Sequence, residues 1–86
     1  MVVGRHAVAD KLTAYLYHNI SLGELVDWAE WAMMEADFDE QNRQTVRDVI
    51  ARLGLADVRA FSLTWRDCET MLQQLGYRLQ LEVKAA

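Results

Sequence analysis

The sequence predicts a mainly α-helical protein: one compact four-helix domain with a single C-terminal β-strand that pairs locally or across a dimer. Three observations predict it. Apolar residues recur at three- and four-residue spacing in four segments, and the joints between those segments carry helix start and stop residues. Only the last stretch alternates with a period of two. The 86 residues contain no proline, no low-complexity tract and no repeat, so one domain spans the chain.

The first helix is expected over about residues 5–18. Val8, Leu12, Tyr15 and Leu16 fall at helical spacing, and Asn19 suits a left-handed stop. The second, over about 21–36, has the clearest start. The Ser21 hydroxyl can cap it while Glu24 reaches back to the Ser21 amide, and Ile20 and Leu25 can form a hydrophobic staple. At about 100° per residue, Leu22, Leu25, Val26, Ala29, Ala32, Met33 and Ala36 form one stripe, with Trp28 at its edge. Trp31 falls roughly opposite, beside Glu24, Asp27, Met34 and Glu35.

Asp37, Asp39 and Glu40 suit the start of a third helix over about 40–53, whose core stripe is Val46, Val49, Ile50 and Leu53. Gly54 is expected just past its end, with Leu55 folding back on Ile50. Residues 55–63 then make a connector holding one helical turn or a short extended piece. A fourth helix, about 65–75, starts at a Thr64–Asp67 capping pair and carries Trp65, Cys68, Leu72 and Leu75 on its apolar stripe. Gly76 stops it. Tyr77, Leu79, Leu81 and Val83 then alternate with Arg78, Gln80, Glu82 and Lys84, as a half-buried strand does. A lone strand leaves its backbone unpaired, so its partner is residues 58–63, Met1-Val2-Val3, or the same strand of a second subunit.

Composition narrows the function. Thirteen acids against nine bases give a net charge of −4, which disfavours general nucleic-acid binding and suits a basic partner. The single cysteine, Cys68, cannot form an internal disulfide, and the first twenty residues do not read as a signal peptide. No apolar run approaches the roughly twenty residues that cross a bilayer. A cytoplasmic protein with no membrane attachment is the expectation.

Sites of chemistry are scarce. Asp37, Asp39 and Glu40 fail as a calcium loop, because the register puts Asn42 where the turn glycine belongs and Asp48 where a bidentate Glu belongs. His6, His18 and Cys68 lack zinc-ligand spacing, and no phosphate loop or nucleophile elbow is present. The reading is therefore non-enzymatic, with no cofactor and no metal. Glu24, Asp27, Trp31, Met34 and Glu35 are the candidate partner-binding set, because a tryptophan supplies rigid contact area and carboxylates steer basic proteins. The competing reading buries Trp31 under the connector or a terminus. Two alternatives stand beside a binding module. One is a helix-turn-helix regulator built around Gly54, against which the poor base-reading composition of residues 56–63 counts. The other is a structural homodimer joined through the edge of Tyr77, Leu79, Leu81 and Val83, with no foreign partner.

The segment from Leu16 to Glu30, in which Asn19-Ile20-Ser21-Leu22-Gly23-Glu24-Leu25 opens an acidic amphipathic helix, resembles the small colicin-type immunity proteins. Those are acidic helical bundles that neutralise a basic nuclease toxin. The resemblance implies an immunity-like role in which Asp27, Trp31 and Glu35 face the toxin; the terminal strand departs from an all-helical bundle.

Overall fold

Helix caps decide where this chain turns, and the computed structural model, which describes residues 2–80 and 83–85, shows them in detail. The elements run β1 (Val2–Val3), α1 (Arg5–Leu16), α2 (Leu22–Glu35), β2 (Asp37–Phe38), α3 (Arg43–Leu53), a 3₁₀ turn (Arg59–Phe61) and α4 (Trp65–Gln74). The chain is mainly helical, as its periodicity predicts.

Both capping boxes form. The Glu24 amide donates to the Ser21 hydroxyl and the Ser21 amide donates to the Glu24 carboxylate, each at 3.1 Å. At α4 the Asp67 amide donates to the Thr64 hydroxyl at 3.1 Å and the Thr64 amide to the Asp67 carboxylate at 3.0 Å. The stop at Gly76 also forms: its φ is +90°, its amide donates to Gln73, and the Tyr77 amide donates to Leu72. That pair of bonds is a Schellman cap.

Other joints differ from the expectation. α1 stops at Leu16, and His18 rather than Asn19 takes the left-handed position, at φ +62°. The His18 amide donates to Tyr15 and the Asn19 amide to Ala14, so the same cap closes one residue early. α3 begins at Arg43, because Asp37 and Phe38 are drawn into a ladder and the Asp39 carboxylate is occupied by the Gln41 amide. Gly54 stays right-handed at φ −64°, and further turns carry the chain on. Leu55 is exposed in consequence, and Ala56 is buried instead.

One core joins all four helices. Val3, Val8, Leu12, Leu25, Ala29, Ala32, Val46, Val49, Ile50, Leu53, Cys68, Met71, Leu72 and Leu75 are buried in it. The α3 stripe is as expected. Two stripe positions are not: Trp65 on α4 and Met33 on α2 are exposed, and Met71 takes the buried place on α4.

The C-terminal strand is the main correction. The sheet among the described residues is the parallel pair β1–β2, with Val2 opposite Asp37 and Val3 opposite Phe38. Val2-Val3 pairs with β2, and residues 59–61 form the 3₁₀ turn, so among the described residues neither local partner proposed for residues 77–83 pairs with residues 77–80. Tyr77–Gln80 and Val83 lie in no strand, and Leu81 and Glu82 lie outside the described residues. The 3₁₀ turn also leaves the helix-turn-helix alternative without its second helix. Among the described residues no helix is long and apolar enough to cross a membrane.

Candidate functional site

The exposed side of α2 is set by what its other side must do. Leu25, Val26, Ala29 and Ala32 are buried, and α2 packs most extensively on α3. Asp27 is the residue farthest from that buried line. At about 100° per residue Trp31 and Met34 lie within about 40° of Asp27, Glu24 and Glu30 about 60° to either side, and Glu35 about 80° away. The structure thus brings together the five residues singled out in the sequence. Glu24, Asp27 and Glu35 are exposed, Met34 keeps 80% of its surface open and Trp31 keeps 38%. The Trp31 ring is neither buried under a terminus nor fully projecting. Trp28 behaves differently: it is half-buried against the core, with the Lys11 ammonium 5.8 Å from its ring centre.

The stretch of sequence that carries this face holds charge of one sign. No lysine or arginine stands between Lys11 and Arg43, while Glu24, Asp27, Glu30, Glu35, Asp37, Asp39 and Glu40 supply seven of the thirteen acids. Among the described residues none of Asp27, Glu30 and Glu35 enters an ion pair. Glu30 extends the acidic face of α2 beyond the five residues expected. Its signal was present in the sequence as the base-free run itself. Chemically the face offers carboxylate acceptors and one indole π-face, a combination that receives ammonium or guanidinium groups.

A second surface went unforeseen. An open groove of about 980 Å³ runs between α1, α4 and the C-terminal segment. Leu16 and Leu72 line it, with the exposed Tyr17 and Trp65 among its walls. Nearby, His6 joins Asp10 at 3.3 Å through Nε2 and approaches the Tyr77 hydroxyl at 3.2 Å through Nδ1. The Arg5 guanidinium lies 5.4 Å from the Tyr77 ring centre and donates to the Leu75 carbonyl. These contacts tie the start of α1 to the end of α4. Trp65 gave no sign of its exposure, because its spacing matches the core stripe.

Two titratable groups on α4 are shifted by their surroundings. Burial pushes the Cys68 thiol up, and the neighbouring Asp67 carboxylate adds to the effect, so the thiol stays protonated at neutral pH. Asp67 itself is held below the usual carboxylate value, first by the Thr64 amide, then by the Thr64 hydroxyl and by Arg52. Among the described residues no three His, Cys, Asp or Glu side chains converge as metal ligands. Compared with models of known families, with curated proteins and with solved structures, the chain matches none.

Proposed function

We propose that this chain is a non-enzymatic protein-binding module whose α2 face engages a basic partner. One observation carries the reading: Trp31 and Met34 are exposed on the same face as Glu24, Asp27, Glu30 and Glu35, within a run that holds no base. A desolvated tryptophan supplies contact energy at low entropic cost, and the carboxylates around it steer and select a cationic surface. The resemblance of Leu16–Glu30 to colicin-type immunity proteins supports the same direction, with a basic nuclease as the specific form of partner. A single protonated cysteine suits a cytoplasmic setting.

The test is capture from the source organism's lysate at low and high salt. The wild-type chain is compared with an Asp27→Lys/Glu30→Lys/Trp31→Ala variant. The reading predicts that wild type retains a basic protein at low salt, that high salt releases it, and that the variant retains none. Equal retention by both chains overturns it.

A second reading is favoured by residues 77–80, which carry the alternation of a strand yet lie in no strand. We propose that residues 77–83 pair across a homodimer, because among the described residues neither local candidate pairs with residues 77–80. Truncation after Gly76 is predicted to leave a monomer by sedimentation; an unchanged dimer mass contradicts the reading.

A further inference from the structure

The start of α1 and the residue after the α4 cap bring an acid, an imidazole and a phenol together. His6 Nε2 lies 3.3 Å from the carboxylate of Asp10, and His6 Nδ1 lies 3.2 Å from the Tyr77 hydroxyl. A carboxylate only accepts, so a proton on Nε2 faces it favourably and a lone pair there does not. The neutral ring then carries its lone pair on Nδ1, facing the phenol. The Arg5 guanidinium, 5.4 Å from the Tyr77 ring centre, sets positive charge where negative charge develops as the phenol proton leaves. The parts are held in place from the backbone: the Tyr77 amide donates to Leu72, and Arg5 donates to the Leu75 carbonyl. The His6 and Asp10 side chains keep 78% and 67% of their surface open, so a reagent can reach them.

We propose that Tyr77 is a modification site whose hydroxyl takes an acyl group from an activated ester, with His6 as the base and Asp10 as the positioning residue. The Tyr77 oxygen bonds to the ester carbonyl carbon as His6 Nδ1 takes the phenol proton. The bond from that carbon to the leaving oxygen then breaks, and the oxygen departs with the electron pair and receives the proton from His6. The products are an O-acyl tyrosine and an alcohol, and nothing is oxidised or reduced. The step modifies the chain once and makes no use of the α2 face. It also removes the phenol O–H, and with it the hydrogen bond from Tyr77 to His6 that ties α1 to the end of α4.

Treatment of the full chain with p-nitrophenyl acetate, with peptide mass mapping of the tyrosines, tests it. Exposure alone ranks Tyr17 first, since it keeps 74% of its surface while Tyr77 is half-buried. The proposal reverses that order: Tyr77 is predicted to be acetylated about tenfold faster than Tyr17 at neutral pH. The rate at Tyr77 is predicted to level off with rising pH once the imidazole is neutral, whereas the rate at Tyr17 keeps rising with its phenolate fraction. His6→Gln, whose amide still hydrogen-bonds to a phenol but takes no proton, is predicted to erase the excess at Tyr77. Asp10→Asn is predicted to lower the plateau at Tyr77, and Asp10→Glu to keep it. The wild-type order and pH profile need no variant, so a variant that fails to fold leaves the test intact. Tyr77 no faster than Tyr17, a Tyr77 rate that never levels off, or an excess that survives His6→Gln overturns the proposal.

Discussion

Gly76 holds a φ of +90°, and an added Cβ there meets the Arg5 guanidinium at 2.5 Å. The flexible arginine can swing away, but the left-handed backbone cannot be relieved. Gly76→Ala is therefore predicted to destabilise the protein by about 1–2 kcal/mol, read by chemical denaturation. His18 and Asn42 occupy the same region at φ +62° and +63°, and both belong to residue types that tolerate it better than most. Asp67 gives a pH signature. Its folded carboxyl lies below the ordinary value of 3.8, so its contribution is fully present above that value and is lost as pH falls from there through the lower folded value. Wild type is predicted to lose more stability than Asp67→Asn between about pH 5 and pH 3. A loss of equal size in the two proteins contradicts the role given to the Thr64 cap.

At the scale of elements, the capping boxes act independently because they close different helices. Ser21→Ala and Thr64→Ala are each predicted to cost about 1 kcal/mol, adding in the double variant to within a few tenths. Ile50→Ala, which empties a fully buried position on α3, is predicted to cost about 2–5 kcal/mol. The same elements show what a sequence can reveal. Ser21–Glu24, Thr64–Asp67 and the α3 stripe were legible because each rests on residues three to seven positions apart. The β1–β2 ladder was not, because two residues a side give no periodic signal and their partners are 35 positions apart. Ignorance of that ladder is what left Val2-Val3 free, on paper, to pair with the C-terminal strand. Spacing misplaced Trp65 for a related reason: it puts a residue on a stripe but does not show how far the facing element extends. On α2 the acidic Trp31 face was readable from helical geometry, but the degree of its exposure depended on neighbours that only the fold supplies.

For the whole molecule, charge is divided along the chain. The base-free run from α2 through Glu40 carries seven acids, and seven of the nine bases follow it, five of them between Arg43 and Arg66. Pairing between the halves does not cancel this, since the ion pairs found among the described residues join His6 to Asp10 and Arg52 to Asp67. The result is a small fold whose core is served by one face of α2 while the opposite face stays acidic and holds an indole. The central claim is that this face is open and anionic around Trp31. Its most direct test is ion quenching of the fluorescence of Trp28→Phe/Trp65→Phe protein, in which Trp31 is the sole tryptophan. The carboxylates concentrate cations and repel anions. Caesium is therefore predicted to quench Trp31 more efficiently than iodide at equal ionic strength, with the difference shrinking as salt rises. Blue-shifted emission from the monomer that resists both ions would contradict the account.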